Sequence, residues 1–174
     1  MNLKRLSHTD QDPWYWRRAA GADLAAIIRL TEQYYSCEID GIFTPNPTRL
    51  QYHLQLAIVE QAYKPNEQLL TVACDRTTGQ LIGWAWLKRG QYTVYADEEL
   101  ACPEIVHVDL TLPKITRMRL TIQIIEQWRA WCQLNNIAVL TSSSVRTDQT
   151  AFMRVHEALG FIVHGSFAYL RILK

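Results

Sequence analysis

Glycine is missing from a turn where a strand runs into a helix, a layout that usually cradles a phosphate group. The stretch LPKITRMRLTIQII, residues 112–125, passes from a strand end through a tight turn into a helix without a glycine. Other absences bound the function. No uninterrupted apolar segment approaches the about 20 residues that cross a bilayer, so no membrane partner is expected. The basic N-terminus is followed by no apolar run, so it does not read as a signal peptide. Eighteen Lys and Arg against 17 Asp and Glu leave a formal charge of +1. No global field therefore favours nucleic acid or an anionic membrane. The four cysteines, Cys37, Cys74, Cys102 and Cys132, are scattered and read as reduced residues of a cytoplasmic protein. Neither they nor His8, His53, His107, His156 and His164 show metal-ligand spacing, so no metal is expected. No repeat, linker or low-complexity tract interrupts the chain. It is expected to form one domain over 1–174, with 1–13 loosely docked.

What is present is a regular alternation of strands and helices. Residues 14–18 suit a first strand, and Leu24, Ile27, Ile28 and Thr31 recur at helical spacing after it. The prolines of FTPNPT exclude helix there, and a second amphipathic helix is expected to start from a Thr48 cap. Two β-rich runs flank DRTTGQ, a hairpin whose turn uses Asp75 and Gly79. An acidic loop with Asp97, Glu98, Glu99 and Glu104 precedes a fourth strand expected over 105–112. On that strand His107, Asp109 and Thr111 share one face, and Val106, Val108, Leu110 and Leu112 the other. A helix is expected over 119–134, burying Leu120, Ile124, Trp128 and Trp131 with Ile125 and Cys132. Gln123, Glu126, Gln127 and Arg129 are expected to face outward. IAVLTSSSV reads as a buried strand, and TDQTAFMRVHEALG as a helix capped by Thr147 or Asp148 and stopped at Gly160. Two short strands split at Gly165 close the chain. The order β-α-α-β-β-β-α-β-α-β-β gives an α/β (α+β) fold, a mixed sheet with helices on both faces.

That order, together with the tail AFMRVHEALGFIVHGSFAYLRI, resembles the GNAT superfamily of acyl-CoA-dependent N-acyltransferases. The tail VHEALGF is similar to that family's pattern of an aromatic residue, two variable residues and Leu-Gly-Phe. WRRAAGADLAAIIRL resembles its opening strand and helix, and TTGQLIGWAWL its second hairpin, so the likeness runs from Trp14 to Ile172. The resemblance implies a mostly antiparallel GNAT-like sheet and transfer of an acetyl or other acyl group from acyl-CoA to a small-molecule or peptide amine. Final-strand exchange or sheet pairing offers a route to a homodimer. The family's cofactor turn, Gln/Arg-x-x-Gly-x-Gly/Ala, falls on Thr116, Arg117, Met118, Arg119, Leu120 and Thr121. Both glycine positions are filled, by Arg119 and Thr121. Glycine lets backbone N–H groups approach a pyrophosphate, and the helix N-terminus favours an anion. Here the guanidinium groups of Arg117 and Arg119, with Lys114, could replace that approach as side-chain clamps, or they could be solvated loop residues.

Acyl transfer to an amine needs a base, an oxyanion donor and an acid for the departing thiolate. By resemblance the oxyanion donor is a backbone N–H near Leu110 to Leu112. The usual acid is a tyrosine four residues before the glycine of Leu-Gly-Phe, a position held here by His156. His156 also flanks the stripe of Phe152, Val155 and Leu159, where a packed rim histidine is the plainer reading. His107, Asp109 and Glu104 are candidate bases, and Asp109 reads equally as a structural hydrogen-bonding group. The acidic run suits a cationic amine or a solvated loop. Trp84, Trp86, Tyr92 and Tyr95 could line an acceptor pocket or belong to the core. TSSS at 141–144 lacks the glycines of a nucleophile elbow, and its small hydroxyls fit a gap beside the fourth strand. The alternative to an enzyme is an inactive GNAT-like ligand-binding or protein-interaction module, for which the filled glycine positions and missing tyrosine speak.

Overall fold

The computed structural model describes residues 12–35, 43–144 and 150–164. Strand β1 (Trp14–Arg18) leads through a 3-10 turn to α1 (Leu24–Glu32), and α2 (Pro47–Tyr63) follows. Strands β2 (Gln68–Asp75), β3 (Leu81–Tyr92) and β4 (Glu99–Val108) come next. Helix α3 (Lys114–Leu134), strand β5 (Val139–Leu140) and helix α4 (Thr150–Ala158) complete the described elements. The five strands form one sheet in the order β1-β2-β3-β4-β5. Its first three pairings are antiparallel and β4–β5 is parallel. The expected closing strands, the Thr147 or Asp148 cap and Cys37 lie outside the described residues.

Alternation along the central strands divides the core into two layers. Leu70 and Val72 of β2 and Trp84 and Trp86 of β3 point to α1 and α2, where Ile27, Leu30, Leu54 and Ala57 cover them. Leu69, Ala73, Ala85 and Leu87 point the other way, onto Leu120, Ile124, Ile125, Trp128, Trp131 and Cys132 of α3. Each such fully buried aliphatic side chain contributes about 1.5–3 kcal/mol. In the β2–β3 hairpin Asp75 Oδ1 accepts from the N–H groups of Thr77 and Thr78, and Gly79 adopts φ +70°. Cys74, Cys102 and Cys132 are free thiols.

Several expected boundaries shift, each for a local reason. Strand β4 covers Glu99–Val108 instead of 105–112, because its pairing with β3 begins beyond the loop at Tyr92↔Glu99. Glu99 and Glu104 therefore belong to the strand, and Asp109, Leu110, Thr111 and Leu112 form a turn after it. Helix α3 starts at Lys114, five residues before the expected start at 119, because Pro113 takes the N-cap position and the turn residues are already helical. Helix α2 is capped by Asn46, whose side chain accepts from Arg49 N–H at 2.9 Å, and not by Thr48. Pro47 is tolerated as the first helical residue because no intrahelical N–H is needed there. Strand β5 has only two residues, and Val139 is 39% exposed, so the expected buried strand reduces to a short rung.

Gln123 is the largest departure from the helical pattern. It was expected on the outer face but is 1% exposed, and its Oε1 accepts from Trp14 Nε1 at 2.8 Å and Trp16 Nε1 at 2.7 Å. Its Nε2 donates to Asp12 Oδ2 at 2.7 Å, and Asp12 is itself buried and paired with Arg119. Asp12 and Pro13 thus leave the expected loose N-terminal stretch and anchor β1 on α3. Replacing Gln123 by Leu leaves two indole N–H groups and a carboxylate short of partners. We expect Gln123→Leu to lower the unfolding free energy by about 1–3 kcal/mol in urea titration. An unchanged midpoint would mean that water serves those groups equally well.

Candidate functional site

Strand β4 separates from β5 halfway along its length. Their ladder holds at Leu100↔Val139 and Ala101↔Leu140, and Thr141 N–H adds a last bond to Ala101 O at 2.9 Å. Pro103 then has no N–H to donate. Glu104 is the extra residue of a β-bulge, since Ile105 pairs with Trp86 while Pro103 pairs with Leu87. A bulge bends its strand and turns it from its neighbour. Beyond Thr141 the segment Ser142, Ser143 and Ser144 faces a cavity of about 600 Å³ instead of a strand. That cavity lies between β4 and the α1–α2 layer. The small hydroxyls of TSSS do stand where a gap opens.

Glu104 and His107 both line this cavity. Glu104 is exposed to it, whereas the His107 ring is buried against Tyr34, 4.1 Å between centroids, and Trp84, 5.4 Å. Asp109 is brought to neither. Its Oδ1 accepts from Thr111 N–H at 2.9 Å and Thr111 Oγ1 at 2.8 Å, so it shapes the turn leading into α3. The backbone groups around it are also engaged. Leu112 N–H donates to Asp109 O at 3.2 Å, and Leu110 N–H meets Gln33 Oε1 at a long 3.4 Å. Tyr34 Oη accepts from Val108 N–H at 2.8 Å and donates to Val108 O, tying α1 to the end of β4. Asp109 N–H bonds back to Ile82 O, so the groups of Val108 and Val106 point to the edge that β5 has left. Val106 is then the next open rung on that edge, beside the cavity.

The glycine-free turn gives its two arginines different tasks. Arg119 pairs with Asp12 and lies over the Trp14 ring, 5.1 Å from its centroid, so its side chain belongs to the β1 anchor. Arg117 is half-buried and makes no side-chain hydrogen bond or ion pair among the described residues. One turn along, Thr121 lines the cavity. Leu120 is fully buried core, and Met118 is half-buried. The first turn of α3 has no side-chain cap, and the N–H groups of Lys114, Ile115 and Thr116 have no partner among the described residues. That turn carries Lys114 and Arg117 and no acid. Cations at a helix N-terminus oppose its dipole, and the uncapped N–H groups add to the positive potential at this end of α3.

His156 lies in a second cavity of about 560 Å³, which shares Ser142, Ser143 and Ser144 with the first. Its ring is 1% exposed and sits between Phe152 and Phe161, with centroids at 4.3 and 4.9 Å. Nδ1 lies 2.9 Å from Phe152 O, an acceptor, so the proton is on Nδ1 and Nε2 offers a lone pair. Nε2 meets no partner among the described residues. Burial holds the imidazole below the ordinary histidine value, against a smaller opposing effect of the Phe152 carbonyl. Both expected roles stay physically open, since the ring is packed on its helix and also faces a cleft. Gly160, with φ +91°, ends α4 as expected.

Other expected candidates do not enter the site. Trp84 and Trp86 are core, and Tyr92 and Tyr95 are exposed away from the cavity. Glu99 is paired to Arg89 at 2.6 Å, and that guanidinium holds its carboxyl below the usual range. The residues that sequence reasoning passed over are Tyr34 and Tyr35, just past the end of α1, and Arg49 and His53 on α2, all of which wall the cavity. Their signal was weak. The two tyrosines end an apolar stripe, and Arg49 and His53 sit four apart on a polar helix face. Among the described residues no His, Cys, Asp and Glu group is placed to hold a metal. None of the described helices is long and apolar enough to cross a membrane.

No protein-family model matches the sequence, and no curated protein matches it significantly. Solved structures do match in fold. An aminoglycoside antibiotic 6'-N-acetyltransferase from Acinetobacter baumannii aligns at TM-score 0.66 and 15% identity, covering 92% of this chain and 99% of that one. Glucosamine-6-phosphate N-acetyltransferase from Arabidopsis thaliana aligns at TM-score 0.66 and 11% identity, with 92% and 99% coverage. AAC(6')-Iy, solved in complex with the bisubstrate analogue CoA-S-monomethyl-acetylneamine, aligns at TM-score 0.62 and 20% identity, covering 94% and 100%. At such identities the likeness is one of fold.

Two measurements check this geometry. Because the folded-state value of His156 lies below its unfolded one, the unfolded chain takes up the proton first on acidification. Stability is therefore complete above the ordinary histidine value and lost as pH falls below it. The urea midpoint should drop between about pH 7 and about pH 5, and His156→Gln should flatten that drop; an equal drop in the variant assigns it elsewhere. Arg119→Ala should lower the unfolding temperature by several degrees through loss of the Asp12 pair, as about 1–3 kcal/mol would do. Arg117→Ala should leave it nearly unchanged, and matching losses would show that both arginines are structural.

Proposed function

We propose that this chain, which has the GNAT fold, transfers an acyl group from acetyl-CoA or another acyl-CoA to an amine held in the first cavity. The observation that carries this reading is the parting of β4 from β5 beside a cavity walled by a carboxylate and an imidazole. An acyl-CoA supplies an activated thioester and an anionic pyrophosphate. The pyrophosphate fits the first turn of α3, where the N–H groups of Lys114, Ile115 and Thr116 and the side chain of Arg117 are available. Arg117 acts there as the side-chain clamp, and Arg119 acts only by holding the helix. Thr121 lines the first cavity, and Val106 offers the backbone rung along which an extended arm can pair.

The residues divide the chemistry as follows. Glu104, on its bulge, takes the ammonium proton directly or through water, with His107 behind it as the second titratable group. The freed amine nitrogen attacks the thioester carbonyl, forming the C–N bond as the C=O π pair moves onto oxygen; the C–S bond breaks when this tetrahedral intermediate collapses and expels the thiolate. The developing oxyanion is met by the N–H of Val106, the open rung beside the cavity, while Leu110 N–H in the turn after β4 keeps its long contact to Gln33. Leu112 contributes by holding that turn. His156, neutral with its Nε2 lone pair, accepts a proton from the tetrahedral intermediate and returns it to the departing thiolate. Asp109 orients the turn through Thr111 and does not touch the reacting atoms.

The test is thiol release from acetyl-CoA with a panel of primary amines, paired with calorimetric binding of acetyl-CoA. We expect binding that weakens with added salt and falls about tenfold or more in Arg117→Glu, the loss of one charge-assisted contact. Glu104→Gln should keep that binding and lower kcat/KM by about 10²–10⁴-fold. No heat and no thermal shift at millimolar acetyl-CoA would overturn the reading.

A further inference from the structure

The first cavity has walls of opposite charge. The β4 wall carries Glu104, and the α2 wall carries Arg49 with His53 one turn further along the same helix face. Among the described residues that line the cavity, Glu104 is the sole carboxylate and Arg49 the sole guanidinium. Arg49 gives its backbone N–H to the Asn46 cap, but its side chain makes no hydrogen bond or ion pair among the described residues. It is exposed, so the fold does not need it as a core or network group. A guanidinium presents five donors in a fixed fork and no acceptor, and its natural complement is a carboxylate or a phosphate. Between the two walls stand aromatic rings, among them Tyr34, Tyr35 and Phe152. A volume of about 600 Å³ suits a small molecule.

An amine acceptor arrives as an ammonium ion. A cavity meant for a bare amine, and still more one meant for a polycation, gains nothing from a guanidinium on its wall and is opposed by it. A cavity meant for an amine with a negative group uses both walls. We infer that the acceptor is a zwitterionic amine, a small primary amine bearing a carboxylate or phosphate, with its ammonium on Glu104 and its anion on Arg49 beside His53. The inference rests on the acyl-transfer reading and adds the substrate class to it. Arg49 is thereby a specificity-determining residue that meets the acceptor away from the reacting nitrogen.

Two matched pairs of acceptors separate the alternatives. Phenylalanine against phenethylamine varies only the carboxylate, and O-phosphoethanolamine against ethanolamine varies only the phosphate. Thiol release from acetyl-CoA is followed with each, and acetyl-CoA binding is measured by calorimetry on the same preparations. We expect the anionic member of at least one pair to be favoured at least tenfold in kcat/KM, and the favoured pair identifies the anion. In Arg49→Gln that ratio should collapse toward one, mainly through KM, while Arg49→Lys keeps part of it. Turnover of these amines with no preference for the anionic member overturns the substrate class and leaves acyl transfer standing. A preference that survives Arg49→Gln overturns the role of Arg49 and with it the inference. Failure of acetyl-CoA to bind overturns the acyl-transfer reading itself, and this inference falls with it.

Discussion

The ladder between β4 and β5 ends at Thr141, and the rest of the site depends on that ending. Two neighbouring features of β4 produce it: a proline that cannot donate at position 103 and an extra residue at position 104. Either alone would weaken one rung. Together they remove several rungs at once, because the bulge redirects the strand just where the missing donor has already broken the pairing. The sheet survives because β4 keeps its full antiparallel partner on the other side, from Tyr92↔Glu99 to Gly83↔Val108. What is left among the described residues is an open strand edge next to a cavity.

An open edge has unpaired backbone groups, and the fold deals with them unevenly. Tyr34 reaches across from the end of α1 and satisfies both groups of Val108. Its ring packs at a tilt against His107, so a single side chain seals the strand end and holds the imidazole. Val106 has no such partner among the described residues, and Leu110 has only a long contact. Among the described residues the edge is therefore closed at Val108 and open at Val106. The charged groups follow the same layering: Glu104 on the bulge, Arg49 and His53 across from it on α2, and His156 behind the shared serines.

The helix that follows β4 shows how a filled glycine position can be accommodated. Glycines at such a turn allow close backbone approach, and a Cβ at each position removes it. In α3 one arginine is turned toward β1, where Asp12, Gln123 and two indoles form a buried polar network. The other remains beside an uncapped helix end that already prefers negative charge. The same sequence change thus supports the sheet on one side of the helix and supplies a cation on the other.

Much of this was readable in one dimension. The 3.6-residue stripe of Leu120, Ile124, Trp128 and Trp131, the DRTTGQ hairpin and the stop at Gly160 depend on neighbours within a few residues, so local periodicity and backbone chemistry determined them. Glu104 and His107 were found together because a short strand segment keeps its own register. The turn holding Asp109, the burial of Gln123 and the separate duties of Arg117 and Arg119 were decided only by tertiary structure. Each depends on a partner far along the chain, as Gln123 depends on Trp14 and Trp16 more than 100 residues away. The cavity wall of Tyr34, Arg49 and His53 was likewise invisible, since nothing in a helix's own sequence says which sheet edge it will face.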